Sequence, residues 1–203
     1  MSDRVLDGAS NYPLVLASGS PRRLELLQLL ERPFSVVRPD VVEQRQPHEI
    51  PTAYVQRLAL DKARAGARLA ESQAIVLGAD TIVVANGEVL EKPIDFTHFE
   101  AMMQQLSGQT HAAITAVAAV CNGIERQTLS TTKVTFKSLT AAEISAYWQS
   151  GEPHDKAGGY GIQGRAAKFV THIDGSYTAV VGLPVYETDQ LIAALINDLE
   201  GRS

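Results

Sequence analysis

Residues 74–93 read AIVLGADTIVVANGEVLEKP, and this stretch restricts the possible folds more than any other part of the chain. Its apolar, β-branched run is typical of a buried strand, and Asn86-Gly87 is the strongest two-residue signal for a β-hairpin. Pairing outward from that turn matches Ala85 with Glu88 and Thr81 with Lys92. The pattern therefore predicts a hairpin in which Lys92 lies beside Thr81 and Asp80.

Asp80 is the unusual residue of this strand. A carboxylate within a buried apolar strand is energetically costly unless it is paired or holds a metal. Two interpretations remain open at this point. Asp80 belongs to a functional site, or Asp80 and Lys92 form a buried pair with a purely structural role.

A second unusual stretch is LVLASGSPRRLELL, residues 14–27, where a short apolar strand runs into the loop Ser18-Gly19-Ser20 and then into a helix. The last serine is a good N-cap, and Pro21 suits a first helical position. Arg22 and Arg23 follow, although first turns favour acidic residues. A small loop with free N–H groups and two guanidiniums is typical of a phosphate cradle. The alternative is an ordinary capped helix whose arginines point into water.

The segment from Thr52 to about Glu71 has apolar residues at helical spacing and predicts one amphipathic helix. Lys62 falls in the middle of its apolar stripe. Such a lysine either extends its ammonium to solvent at the edge of the domain or binds an anionic partner. The preceding loop, residues 39–51, is long, polar and contains Glu43, and loops of this length in compact domains are often functional.

The remaining sequence mixes strands and helices. It predicts, in order, a helix over 96–106, a hairpin of 110–120 with 124–136, a capping-box helix from Thr140 through Trp148, a strand over 168–173 and a closing helix opened by Pro184. The glycine-rich residues 154–164 are either a flexible loop or a wall that lets backbone approach a ligand. We predict one domain, 1–203, of α/β class: a mixed, partly antiparallel twisted sheet flanked by helices, with a ligand cleft at the strand ends.

Composition narrows the function classes. A chain of 203 residues with a net charge of −5 lacks the basic excess of a nucleic-acid surface. The single cysteine, Cys121, excludes an internal disulfide and indicates a buried core position in a reducing compartment. With no apolar run of membrane-spanning length and an acidic N-terminus, we expect a cytoplasmic protein without a membrane partner.

Seven segments together resemble the Maf-type nucleoside triphosphate pyrophosphatases. They are ASGSPRR (17–23), YVQRLALDKA (54–63), LGADT (77–81), EKP (91–93), LSGQTH (106–111), SGEPHDKAGGYGIQG (150–164) and GSYTAVVGLP (175–184). Within that family, DKAGGYGIQG looks like the branch that hydrolyses dTTP and UTP, rather than the branch acting on 7-methyl-GTP. The resemblance implies a fold shared with inosine triphosphate pyrophosphatases, and it leaves a homodimer, common in the family, open.

The resemblance also implies roles for individual residues. Asp80 would be the proton acceptor for water, while Arg22, Thr81 and Gln163 would shape substrate choice. Together with these, the following residues are our candidate site: Glu43, Lys62 and Lys92 as catalytic groups, Ser18, Arg23 and Lys156 as substrate-binding groups, and Glu43 with Asp80 as ligands of Mg²⁺ or Mn²⁺. Many family members carry another acid before Glu43, where this chain has Val42, so metal binding by this loop is expected to rest on Glu43 alone.

The expected reaction is attack of water on the α-phosphorus of a pyrimidine nucleoside triphosphate, which releases the monophosphate and pyrophosphate. Removal of non-standard nucleotides is one physiological use of that chemistry. Two alternatives remain open: a non-catalytic nucleotide-binding regulator of cell division, and a purine-directed house-cleaning pyrophosphatase.

Overall fold

The computed structural model describes residues 12–201, and within them one seven-stranded mixed sheet carries helices on both faces. Its strands are β1 (Leu14–Ala17), β2 (Phe34–Val37), β3 (Ile75–Ala85), β4 (Glu88–Leu90), β5 (Thr110–Cys121), β6 (Ile124–Phe136) and β7 (Val170–Asp174). Its α-helices are α1 (Pro21–Gln28), α2 (Pro51–Ala67), α3 (Phe96–Leu106), α4 (Ala141–Gln149), α5 (Tyr177–Val181) and α6 (Val185–Glu200). Short 3₁₀ segments lie at Glu152–Asp155, Ala157–Gly159 and Arg165–Phe169.

The strand order is β2-β1-β3-β5-β6-β7, and β4 also pairs with β3. The first three strands are parallel to one another, whereas β3, β5, β6 and β7 pair antiparallel. The predicted α/β class with a mixed, partly antiparallel sheet is therefore confirmed. Asn86-Gly87 closes the β3–β4 hairpin, Asn122-Gly123 closes the β5–β6 hairpin, and Cys121 is buried as expected.

A gap in the sheet beside β3 is the feature that places the site. On one side β3 pairs with β5 along nine consecutive residues, Val76 to Val84. On the other side β1 pairs only with 75–77, and β4 pairs only with 83–85. Residues 78–82 therefore have no neighbouring strand on that side, and Asp80 and Thr81 lie in the opening.

The gap explains one wrong prediction. The register of the β3–β4 hairpin is as predicted, with Ala85 opposite Glu88 and Val83 opposite Leu90. The ladder then stops, so Thr81 does not pair with Lys92 and instead lies opposite Thr115 of β5. The Asn-Gly turn fixes local register, but it does not determine where a ladder ends.

Two further boundaries differ from the predictions, and one short helix is additional to them. Helix α2 ends at Ala67 rather than near Glu71, because the amides of Leu69 and Ala70 both bond to the carbonyl of Gly66 and tighten the chain into a turn. Strand β7 begins two residues later than expected, since Arg165–Phe169 forms a 3₁₀ turn. The short helix α5, capped by the side chain of Ser176, was not predicted.

The core has two layers, one on each face of the sheet. Odd-numbered residues of β3 and β5, such as Leu77 and Val117, pack with α1, α3, α4 and α6, while even-numbered residues such as Ile82 pack with α2. Helix α2 lies unusually close to the sheet at Gly78, where an added Cβ would stand 2.3 Å from the carbonyl oxygen of Ala59. This close approach brings α2 within reach of Asp80, which lies two residues further on and on the same face.

Candidate active site

The gap in the sheet opens into a cavity of about 580 Å³. Its walls are the loop after β1, the loop between β2 and α2, residues of α2 and β3, the glycine-rich segment and the end of α5. Every residue of the predicted site lies on this cavity: Ser18, Arg22, Arg23, Glu43, Lys62, Asp80, Thr81, Lys92, Lys156 and Gln163. The fold therefore brings together residues that lie up to 145 positions apart, from 18 to 163.

Lys62 and Asp80 form the buried centre on the α2 face. The Nζ atom of Lys62 donates to Oδ1 of Asp80 at 2.7 Å, and the two side chains are 11% and 9% exposed. The same Nζ lies 2.5 Å from Oε1 of Glu43. The interpretation that Lys62 has an anionic partner is confirmed, and the solvent-extending alternative is wrong.

Lys92 is not where the sequence predicted it. Because the β3–β4 ladder ends at Leu90, Lys92 stands outside the sheet with its side chain 59% exposed and pairs with Oε2 of Glu43 at 3.5 Å. The buried cation beside Asp80 is Lys62 instead. Burial raises the pKa of Glu43, but the hydrogen bond and charges of Lys62 and Lys92 outweigh that effect and hold it below its ordinary value.

The donors and acceptors of this centre are only partly used. An ammonium has three N–H donors, and Lys62 directs two of them to Asp80 and Glu43, which leaves one for a ligand oxygen. Among the described residues, Asp80 accepts a hydrogen bond only at Oδ1, so its Oδ2 is available to a water molecule. The centre can therefore hold a water and an anionic group side by side.

A second network of hydrogen-bonded polar side chains lies on the opposite face of the sheet. The guanidinium of Arg23 donates from Nε to the carbonyl of Gly182 at 2.9 Å and from one terminal nitrogen to Oγ1 of Thr81 at 3.4 Å. Thr115, fully buried, donates to the carbonyl of Ala179 at 2.7 Å and lies 2.9 Å from Thr81. Since the hydroxyl proton of Thr115 is committed to that carbonyl, Thr81 must donate to Thr115. Thr81 therefore has no proton left to give a ligand.

The two arginines after the serine loop differ in their surroundings. Burial lowers the pKa of Arg23, and the charges of Asp80 and Glu43 oppose that effect. Arg22 also lines the cavity, but it forms no hydrogen bond or ion pair with any described residue. Ser18 accepts from the amide of Ser20 at 3.1 Å, which leaves its own hydroxyl proton free to donate.

The glycine-rich segment is a packed wall rather than a flexible loop. A Cβ on Gly158, whose φ is +69°, would stand 2.7 Å from side-chain atoms of Val83. Lys156 in this wall donates to the carbonyl of Glu152 and to Oδ1 of Asp155, both at 2.7 Å. Gln163 lines the cavity, is exposed, and forms no hydrogen bond with a described residue.

Sequence reasoning missed Glu91, Tyr54 and Thr115. Glu91 lines the cavity, where burial and the charges of Asp80 and Glu43 raise its pKa against a hydrogen bond from Tyr54. Burial also raises the pKa of Tyr54. The only available signals were the acid of EKP and a polar residue within the apolar run of β5.

Positive and negative side chains balance around the cavity. The cations are Arg22, Arg23, Lys62, Lys92 and Lys156, and the acids are Asp40, Glu43, Asp80, Glu91 and Asp155. With five of each sign, the walls have no excess positive charge to neutralise a polyphosphate. An anionic ligand of this cavity therefore needs a counter-ion of its own.

A divalent cation fits this donor set only in part. Among residues 12–201 no group of three or more His, Cys, Asp or Glu side chains is arranged to hold a metal ion. Glu43 and Asp80 nevertheless provide carboxylate oxygens on either side of Lys62. Mg²⁺ is usually held by one or two carboxylates together with waters and substrate phosphates. Val42, the residue before Glu43, is 80% exposed.

The fold and the cavity define an α/β protein with a polar cleft suited to a phosphorylated ligand and its counter-ion. The chain belongs to the Maf family, since the family described as Maf-like protein matches residues 13–195. None of the helices within residues 12–201 is long and apolar enough to cross a membrane.

Three relatives show how close the similarity is. The chain is 57% identical to the dTTP/UTP pyrophosphatase of Vibrio cholerae over 88% of its own length and 96% of that protein. It is 54% identical to the protein of the same description from Idiomarina loihiensis, over 88% and 93%, and to that from Yersinia pestis, over 90% and 93%.

A solved structure also aligns with the chain. The dITP/XTP pyrophosphatase of Mycobacterium abscessus gives a TM-score of 0.42 at 18% identity, over 68% of this chain and 95% of that one.

Proposed function

We propose that this protein is a pyrophosphatase that hydrolyses dTTP and UTP to the monophosphate and pyrophosphate. The observation that carries the proposal is the buried Lys62–Asp80 pair at 2.7 Å, which opens into a cavity that also gathers arginine, lysine and serine donors. The 57% identity to a dTTP/UTP pyrophosphatase supports the same substrate class. Removal of non-standard nucleotides remains a physiological use of this activity.

The proposed reaction is attack of water on the α-phosphorus. Oδ2 of Asp80 accepts the proton of the attacking water, while Lys62 keeps Oδ1 occupied and fixes the orientation of the carboxylate. The third N–H of Lys62 donates to a phosphate oxygen. Charge spreads over the phosphoryl oxygens during the reaction, so fixed cationic donors stabilise the transition state more than the bound substrate.

The remaining binding groups clamp the phosphate chain. Arg22 is free to turn toward an anion, and the hydroxyl of Ser18 has a proton to donate. Arg23 donates to the carbonyl of Gly182, and one of its terminal nitrogens has no hydrogen-bond partner within residues 12–201. Lys92 and Lys156, which both line the cavity, contribute charge.

A divalent cation, Mg²⁺ or Mn²⁺, is part of the proposal, with Glu43 and Asp80 as its protein ligands. The balanced charge of the cavity walls supports this requirement, because the walls alone cannot neutralise a triphosphate. The cation would neutralise phosphate oxygens and polarise the α-phosphoryl group.

Gln163 is the proposed reader of the base. Its amide carries both a donor and an acceptor, which match the carbonyl and N–H of uracil or thymine. Gln163 lines the cavity and forms no hydrogen bond with a described residue, so its amide is available to a base, which supports that role. Thr81 would shape substrate choice indirectly: it accepts a hydrogen bond from Arg23, and its own proton is donated to Thr115.

The test is pyrophosphate release from dTTP, UTP, CTP, ITP and 7-methyl-GTP in one assay with Mg²⁺ and with Mn²⁺. Turnover with dTTP and UTP, and much slower turnover with the others, is expected. Nucleotide binding without release of pyrophosphate would instead favour the non-catalytic regulator, and preference for ITP would favour the purine enzyme.

The cellular setting completes the proposal. We propose that residues 1–203 act as one domain, in the cytoplasm, on a small-molecule nucleotide and without a nucleic-acid or membrane partner. Size-exclusion chromatography with light scattering distinguishes a monomer from the homodimer that the family resemblance leaves open.

A further inference from the structure

The loop that carries Glu43 is tied to helix α2 at two places. Residues 38–50 connect β2 to α2 without forming a helix or strand of their own. One tie is the ion pair between Glu43 and Lys62 inside the cavity. The other is Arg57, which lies outside the cavity and five residues before Lys62 on the same helix.

Arg57 makes an unusually complete set of contacts with this loop. Its Nε and one terminal nitrogen donate to the two carboxylate oxygens of Glu49 at 2.7 and 2.8 Å. The same terminal nitrogen donates to the carbonyl of Gln44 at 3.0 Å. That carbonyl belongs to the residue directly after Glu43, so Arg57 holds the backbone beside the catalytic carboxylate.

Glu49 extends this tie within the loop. Its second carboxylate oxygen accepts from the amide of Gln46 at 3.0 Å, and its carbonyl accepts from Arg45 at 2.8 Å. The side chains of Arg57 and Glu49 are 26% and 10% exposed, and the guanidinium stacks 5.6 Å from the ring centre of Tyr54. A bidentate, partly buried pair of this kind holds geometry better than an ordinary surface ion pair.

We propose that Arg57 is a positioning residue for the reaction. Through Glu49 and the Gln44 carbonyl it holds the Glu43 carboxylate against Lys62 and beside Asp80, the other proposed metal ligand. This inference rests on the proposed function for its catalytic consequence. Arg57 is not one of the residues that line the cavity in which substrate and metal are proposed to bind. Residues that orient a ligand carboxylate from outside typically change metal affinity or activity by about 10–100-fold when they are lost.

The alternative is that the Arg57–Glu49 pair only stabilises the fold. Helix α2 provides a matched control for this alternative. Arg64, seven residues further along, makes the same bidentate geometry with Glu125 at 2.7 and 2.8 Å, but it ties the helix to β6 rather than to the loop. Arg64 and Glu125 do not line the cavity.

The experiment compares Arg57→Gln, Arg57→Lys and Arg64→Gln in the full chain. We expect Arg57→Gln to raise the Mg²⁺ concentration for half-maximal UTP hydrolysis and to lower kcat/KM by about tenfold or more. Arg57→Lys keeps the charge but cannot form the bidentate pair, so it should fail to restore activity fully. Arg64→Gln should leave both constants within about twofold of wild type, since neither Arg64 nor its partner Glu125 lines the cavity.

A double-mutant cycle separates positioning from general loss of stability. If Arg57 acts through Glu43, then Arg57→Gln should have little further effect on kcat/KM in a Glu43→Gln background. Additive losses in the two backgrounds, or equal losses in the Arg57 and Arg64 variants, would overturn the proposal.

Amide hydrogen exchange without nucleotide tests the physical step independently of the reaction. Arg57→Gln should speed exchange in residues 38–50, whereas Arg64→Gln should not. Unchanged exchange in that loop would overturn the proposal, as would faster exchange with wild-type kinetics. A wild-type protein that does not hydrolyse UTP or dTTP would refute the proposed function, while the exchange result would still decide whether Arg57 holds the loop.

Discussion

Replacing Lys62 with methionine is the most informative single change, because the structure alters what the sequence predicts for it. On an apolar helix stripe, a methionine is expected to be tolerated by folding. In the structure Lys62 is the buried partner of Asp80, whose side chain is only 9% exposed. Removing one partner of a buried ion pair leaves an uncompensated charge and costs about 3–5 kcal/mol.

We expect Lys62→Met to fall near the lower end of that range. Its second partner, Glu43, is 41% exposed and keeps its contact with Lys92. A loss of about 3 kcal/mol corresponds to a decrease in Tm of about 6–12 °C for a chain of this size. The variant should also lose turnover, since the third N–H of Lys62 is the donor proposed for phosphate.

Urea unfolding followed by far-UV circular dichroism, together with thermal melts, measures the effect. Lys92→Met is the matched control. The Lys92 side chain is 59% exposed, so its ion pair should contribute less than about 1 kcal/mol to the free energy of unfolding. Adding Asp80→Asn to Lys62→Met should recover most of the lost stability by removing the unpaired charge. The reasoning is refuted if Lys62→Met and Lys92→Met unfold at the same urea concentration.

Three further predictions concern single residues. Asp80→Asn should fold and still lose about 10²-fold or more in pyrophosphate release from UTP, as expected for a lost general base; a near wild-type rate would make Asp80 structural. Gln163→Glu should slow dTTP and UTP hydrolysis more than CTP or ITP hydrolysis, because a carboxylate has no donor for a pyrimidine carbonyl, and equal losses would contradict base reading. The hydrogen bond from Arg57 lowers the pKa of Glu49 from 4.5 to about 2, so its stabilising contribution is present above about pH 4.5 and lost as the pH falls toward 2. Acid unfolding of Glu49→Gln should lack this component, and an unchanged acid transition would argue against it.

The sequence was sufficient for most elements but not for the partners of the buried charges. The apolar, β-branched run of β3 and the Asn-Gly turn predicted the hairpin and its register. They could not show that the ladder stops at Leu90, because neither pattern contains information about where the chain after β4 leaves the sheet. Lys92 was therefore placed beside Asp80, although the residue that occupies this position is Lys62.

Lys62 and Arg57 show which functional residues a helical pattern can and cannot identify. The helical pattern identified Lys62 as anomalous because a cation on an apolar stripe conflicts with burial. Arg57 gave no such signal, since a charged residue on the opposite face of an amphipathic helix is what solvent exposure predicts. Its role depends on the path of the loop, and local periodicity contains no information about that path.

The gap beside β3 makes two chemically different groups neighbours in the chain. Asp80 and Thr81 are consecutive, yet one faces α2 with its lysine and the other faces α1 with its arginine. A single peptide unit thus joins the proposed general base to the hydroxyl that supports the proposed phosphate-binding guanidinium, so any backbone shift at this point displaces both. Changes in substrate preference that leave turnover intact should therefore arise at exposed side chains of the cleft walls, such as Gln163, and not at this peptide.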